Sequence, residues 1–202
     1  MISGVTAEDF VEQTGAGITL EVRKARMCDI APILALINGY AAKGIMLPRT
    51  ELELSEHIRD FSVALSDGRL LGCGALHFYT PTVGEIRSLA VDESAKTHGV
   101  GRRVVEALVE EAQQYDLDGV FAFTYVPEFF RKVGFHEAER GILPLKAWKD
   151  CLRCPKFQCC DEISVVRVLN PRRWGEVLTH TWGDLEFSDN LIQLPILKIG
   201  RP

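Results

Sequence analysis

The sequence predicts an α/β (α+β) domain, a mixed sheet with helices on its faces. Three observations carry this prediction. A strand-turn-helix unit runs from Val83 to Ala112: apolar residues fall at Ile86, Leu89 and Val91, glycines arrive at Gly99 and Gly101, and Val104, Val105, Leu108, Val109 and Ala112 then take up helical spacing. Asp67-Gly68 sits between two alternating apolar runs, the signal of a two-residue β-hairpin. Finally, the elements come in the order strand, two helices, hairpin, strand, helix, strand, helix, strand, which a sheet flanked by helices accommodates.

In chain order, residues 1–17 are polar and glycine-containing, with a short apolar set at Val5, Phe10 and Val11, and read as an N-terminal extension that is loose or a brief helix. Ile18, Leu20 and Val22 alternate as a first strand. Asp29 is placed to cap a helix whose apolar face is Ile30, Ile33, Leu34 and Ile37, with Pro32 tolerated in its first turn. Thr50 and Glu53 form a capping box for a short helix through Ile58. Phe61, Val63 and Leu65 lead to the hairpin turn, and the return strand runs from Leu70 toward Phe78, with Gly72 and Gly74 marking a bulge or a close backbone approach. Residues 120–124 form a buried strand, Pro127 opens a short helix that Gly134 stops, residues 143–160 are irregular, and residues 163–168 form a last strand. The domain is thus expected over 18–169, followed by a C-terminal extension, 170–202. Its apolar run from Leu191 to Ile199 suits pairing with a neighbour's sheet edge in a homodimer, or covering its own.

Composition narrows the function classes. The chain has 202 residues, 47% of them hydrophobic and 25% charged, the balance of a globular protein. A formal net charge of -5 argues against a broad nucleic-acid-binding face. No run has the length of a membrane span, and residues 1–17 lack the basic start and apolar block of an export signal, so the expected location is the cytoplasm. Four of the six cysteines crowd into residues 151–160, unlike a spaced disulfide framework.

The turn at residues 92–103 is suited to an anion. First-turn N–H groups of a helix lack intrahelical acceptors, the helix dipole is positive there, and glycines let a ligand approach the backbone. Lys96, Arg102 and Arg103 flank it, which favours a phosphate-bearing guest. The Gly-Lys-Ser/Thr ending of a nucleotide-binding P-loop is absent, and no third glycine follows at Val104 as a dinucleotide fingerprint requires.

Lys96-Thr97-His98-Gly99-Val100-Gly101, following Leu89-Ala90-Val91, resembles the acetyl-CoA pyrophosphate loop of the GCN5-related N-acetyltransferase (GNAT) family, although Lys96 stands where the family has Gln or Arg. Further stretches resemble one branch, the short stand-alone bacterial N-acetylglutamate synthases: residues 23–30, 43–49, 84–91, 125–135 and 148–163, together covering about residues 18–168. The resemblance implies a mostly antiparallel sheet with a central V-shaped splay, where residues 83–91 and 120–124 part to admit the pantetheine arm of acetyl-CoA. It also implies that Leu89, Ala90, Val91, residues 96–103 and Phe129 contact that cofactor.

The reaction so implied moves acetyl from acetyl-CoA to the α-amine of L-glutamate, a step toward arginine. It needs a base for the ammonium proton and a proton or hydrogen bond for the leaving thiolate. Glu85 resembles the family's base, acting through water. The usual acid, a tyrosine five residues before the Phe of a Gly-Phe pair, is replaced by Phe130, so Thr124 or Tyr125 takes that role. Arg49 and Arg87 are candidates to grip the two carboxylates of the acceptor, with Lys43 a third, since arginine binds carboxylate bidentately. Alternatives are transfer to glutamine, another amino acid or a protein N-terminus, or a regulatory module that binds acyl-CoA without turnover. Cys151, Cys154, Cys159 and Cys160 are candidates for a Zn site, redox-sensitive thiols or a purely structural role.

Overall fold

In the computed structural model, residues 10–13 are described by their backbone, and 19–139, 154, 156 and 159–174 in full. The strands are β1 (Phe10–Gln13), β2 (Thr19–Lys24), β3 (Phe61–Ser66), β4 (Arg69–Phe78), β5 (Val83–Val91), β6 (Gly119–Thr124), β7 (His136–Glu137) and β8 (Ile163–Val168). They form one sheet in the order β1-β2-β3-β4-β5-β6-β8-β7. Every pairing is antiparallel except β5 with β6. The mixed, mostly antiparallel sheet is as predicted.

Helices cover both faces. On one, α3 (Val100–Gln114) lays Val104, Val105, Leu108 and Ala112, all fully buried, against Leu76, Ile86, Val120 and Ala122. On the other, α1 (Ile30–Ala41) buries Ile33 and Ile37 beside Val63, Cys73 and Ala75, with Leu54 of α2 (Glu51–His57) completing the layer. Spacing of three and four along each helix, against alternation along each strand, is what joins these surfaces. The Thr50 hydroxyl accepts from the Glu53 N–H, and the Glu53 carboxylate accepts from the Thr50 N–H, as the sequence predicts. Asp67 and Gly68 both take positive φ, 48° and 75°, the geometry a two-residue hairpin turn demands.

The structure corrects three expectations. Residues 10–13 are an edge strand on β2, not a loose stretch or helix. Asp29 does not cap α1 with its side chain. Its carboxylate instead turns back, accepting from the Arg26 N–H at 2.7 Å and from the Arg23 guanidinium at 2.7 and 3.1 Å. Burial raises the Asp29 pKa and these donors overcome it, holding the carboxyl below its usual range. The chain also remains in the fold past residue 169: Trp174 packs on Gly119, where a Cβ would lie 2.5 Å from its ring. The run from Leu191 to Ile199 lies outside the described residues, as does most of 143–160. Among the described residues no helix is long and apolar enough to cross a membrane.

Between β5 and β6 the sheet opens. They pair only at Val83–Gly119, Gly84–Val120 and Glu85–Phe121. Beyond these pairs β5 continues to Val91 and β6 to Thr124 without laddering to each other, which is the predicted splay. The β4–β5 register also shifts between Cys73 and Ala75, and Ser88 takes φ 53°, uncommon for a residue with a side chain. This irregularity sits on the open half of β5. Gly72 and Gly74 lie beside it in close approach to α3, where added Cβ atoms would meet Val100 at 2.8 Å and Val104 at 3.0 Å.

Candidate active site

The open end of the splay meets the N-terminus of α3. Gly99 caps the helix at φ 75°, a conformation glycine adopts without penalty. The His98 N–H donates to Ala95 O and the Arg103 N–H to Gly99 O, so neither points outward. Among the described residues, the N–H groups of Gly99, Val100, Gly101 and Arg102 have no backbone acceptor, a cradle narrower than the loop sequence suggests. Gly101 faces Val91 and Phe129: a Cβ there would lie 3.3 Å from Val91 and 3.4 Å from the Phe129 ring. The backbone of residues 89–91, the α3 N-terminus and Phe129 of α4 (Pro127–Lys132) therefore border one passage. Oriented N–H groups at a helix start can hold a pyrophosphate without any basic side chain. That suits this turn, because Arg102 and Arg103 both reach Glu106 instead, at 2.6 and 3.3 Å.

Lys43, expected from the sequence beside Arg49 and Arg87, lies at this end of the site. Its Nζ donates to Glu93 at 2.6 Å and lies 5.5 Å from the centre of the Tyr40 ring, while Lys96 covers the same ring at 5.2 Å. The Tyr40 hydroxyl donates to Val91 O at 2.6 Å, tying α1 to the end of β5. A groove of about 470 Å³ opens here, lined by Leu36, Tyr40, Lys43, Arg69 and Asp92.

On the closed half of the splay the site is made of charged side chains. Glu85 is buried on β5, with His77 of β4 and Phe121 of β6 as its register partners on the same face. Arg87, two residues on, reaches Asp60 at 3.9 Å. His77 Nδ1 lies 3.1 Å from that same Asp60 oxygen and His57 Nδ1 3.7 Å. These three ligand atoms fall within 4.8 Å of one another, and the Arg87 guanidinium approaches the shared Asp60 oxygen from β5. Arg49 lies between α1 and α2, its backbone held at both N–H and C=O by the Asn38 side-chain amide, 2.9 and 3.0 Å.

Across the splay, Thr124 is buried at the end of β6, and its hydroxyl oxygen accepts from the Val126 N–H at 3.0 Å, leaving the hydroxyl proton available. Tyr125 is exposed and its proton is committed: the hydroxyl donates to Asp161 at 2.9 Å and accepts from Lys156 at 3.2 Å. Partial burial, ahead of the Asp161 charge, pushes its pKa up. Phe130 packs in the core, edge to face with Phe129 and Phe135. Cys154 and Cys159 are free thiols, the Cys160 thiol approaches Glu162 at 3.9 Å, and Cys151 lies outside the described residues, so the four-cysteine set is not described as a group. Asp60, His77, Tyr40 and Ser88 are residues of this region that sequence reading did not single out.

Residues 37–142 match the family model described as Acetyltransferase (GNAT) family, and the chain belongs to that family. An uncharacterised N-acetyltransferase of Chlorobaculum tepidum is 43% identical over 148 residues, covering 73% of this chain and 96% of the relative. An amino-acid acetyltransferase of Mycobacterium tuberculosis is 40% identical, over 58% of this chain and 69% of that one. The N-acetylglutamate synthase of Neisseria gonorrhoeae, solved with coenzyme A and N-acetyl-glutamate, superposes with a TM-score of 0.69 at 32% identity. That match covers 75% of this chain but only 35% of the Neisseria chain.

Proposed function

We propose that this protein transfers acetyl from acetyl-CoA to the α-amine of L-glutamate. The observation that carries the reading is the buried Glu85 on β5, at the last pairing before the strands part, with Arg87 on its own face. Acetyl-CoA is the co-substrate, in keeping with GNAT membership and with structural neighbours that hold coenzyme A. Relatives named amino-acid acetyltransferase support an amino acid as acceptor.

In this reading the α3 cradle holds the pyrophosphate and the pantetheine arm follows the open edge of residues 89–91 toward Glu85. An ammonium cannot attack a thioester until it loses a proton, and Glu85 takes that proton directly or through one water. The free amine then attacks the thioester carbonyl, the C–S bond breaks, and the Thr124 hydroxyl hydrogen-bonds the departing sulfur. Arg87 and Arg49 hold the acceptor carboxylates, which favours an acceptor with two carboxylates over a neutral amino acid.

Release of the CoA thiol, measured with acetyl-CoA against each of the twenty amino acids, tests the proposal. Glutamate is expected to give the highest kcat/KM. A preference for glutamine or a neutral amino acid would replace the acceptor. Thiol release with none of them would favour an acyl-CoA-binding module.

A further inference from the structure

Glu85 poses a problem of proton disposal. It is buried, and each turnover delivers a proton to its carboxylate that must leave before the next acceptor binds. A neighbouring group with one side toward Glu85 and the other toward water would solve it. His77 has that position. It is the register partner of Glu85 on the same face, at the roughly 4.5–5.5 Å Cβ separation of cross-strand neighbours. Its side chain retains 23% exposure. Its Nδ1 is bonded to Asp60 at 3.1 Å, which assigns the Nδ1 hydrogen to that bond and leaves Nε2 as the basic nitrogen.

We infer that His77, oriented by Asp60, relays the substrate proton from Glu85 to solvent. This rests on Glu85 being the base. The proton passes from the acceptor ammonium to the Glu85 carboxylate, then through a bridging water to His77 Nε2, forming an imidazolium beside the Asp60 carboxylate, and from the imidazolium to bulk water; Glu85 and His77 end as they began. His77 acts through Glu85 and is a positioning residue, not a catalytic one. The charged and titratable groups around it are His57 at the end of α2, Asp60 on the turn before β3, Tyr79 just past the end of β4, and Glu85 and Arg87 on β5.

The experiment compares steady-state kinetics of His77→Ala, Asp60→Asn and Glu85→Gln in the full chain, with thermal melting to verify folding. His77→Ala is expected to lower kcat by about a hundredfold with KM for acetyl-CoA unchanged, and added imidazole should restore much of the loss. Asp60→Asn should move the acid limb of the kcat/KM profile toward lower pH, a readout that a merely structural role would not move. It carries the test alone should His77→Ala not fold. His77→Ala turnover within twofold of the parent, or an unmoved acid limb in Asp60→Asn, overturns the relay while leaving Glu85 as base. Near-parental turnover by Glu85→Gln overturns both.

Discussion

The two halves of the β5–β6 cleft are built from different materials. At the open end, the proposed phosphate cradle is main chain: four N–H groups at residues 99–102 and a positive-φ glycine. The flanking cations are turned to other partners, Arg102 to Glu106 and Lys43 to Glu93. At the closed end the backbone is paired on both sides, and the site is made of side chains, Glu85, Arg87, His77 and Asp60. A backbone cradle recognises any pyrophosphate and is indifferent to most substitutions. A cluster of side chains discriminates, and each of its members is individually breakable.

The sharpest test of this contrast is therefore at Glu85. Glu85→Gln keeps the shape and hydrogen bonding but accepts no proton, so kcat should fall by roughly two to four decades at pH 7 with little change in KM. The loss should shrink as pH rises, because more of the acceptor amine is then already neutral. Stopped assays across pH 6.5–9.5 would show it. A folded variant within a few-fold of the parent at pH 7 would make Glu85 structural.

Next in size is the acceptor grip. Removing a charge-assisted hydrogen bond costs about 1.5–3 kcal/mol, so Arg87→Ala should raise KM for glutamate by roughly 10- to 150-fold while KM for acetyl-CoA stays within about threefold. Arg49→Ala should do the same if its side chain meets substrate. Equal effects on both KM values would mean that either arginine only holds the fold.

How much of this was readable in advance follows the same division. Most of the strands and the two main helices were legible because apolar periodicity and glycine spacing are local properties of the chain, whereas the splay was implied only by the family resemblance. The glycine turn into α3 at Gly99 and Gly101 was legible for the same local reason. The Asp60–His77–Glu85–Arg87 group was only half visible. Asp60 and His77 are 17 residues apart and meet through the β3–β4 hairpin, and His77 meets Glu85 through the β4–β5 register. No short-range spacing encodes either meeting. Asp29 misled for a related reason: its position before α1 reads as a cap, but a half-buried Arg23 offers two donors and outcompetes the helix N-terminus. Residues 10–13 carry little pattern of their own and become a strand by pairing with the edge that β2 supplies.

Substitution at the cradle should have a smaller and more selective effect. Gly101→Val places methyl groups into the space between Val91 and Phe129, where even a Cβ is within 3.4 Å. CoA affinity, read by calorimetry, should weaken at least tenfold, about 1.4 kcal/mol, with KM for glutamate nearly unchanged. Lys96→Ala should cost less than that, because main chain makes the cradle. The reverse ranking would mean that side-chain charge, not backbone geometry, holds the pyrophosphate. Thr124→Val, which removes the hydroxyl proposed to meet the departing sulfur, should lower kcat by roughly tenfold, the scale of one hydrogen bond of about 1.4 kcal/mol.

The smallest effect is expected at Tyr125, and its smallness is informative. Tyrosine is the acid that many GNAT enzymes use, and an exposed Tyr125 next to Thr124 invites that assignment. But its hydroxyl hydrogen already points to Asp161, and Lys156 donates to the oxygen and stacks on the ring at 4.9 Å. To protonate a thiolate, Tyr125 would have to leave Asp161 and break this three-residue contact, whereas Thr124 accepts from Val126 through its oxygen and gives up nothing to donate. Tyr125→Phe should therefore leave kcat within about threefold of the parent, since an exposed hydrogen bond to a charged group contributes little net free energy in water. Its effect should be the same at pH 7 and pH 9, because the upward shift of the Tyr125 pKa keeps the hydroxyl protonated across that range. A tenfold or larger loss in Tyr125→Phe, with Thr124→Val near parental, would exchange the two roles and make the Lys156–Asp161 contact a holder for the acid.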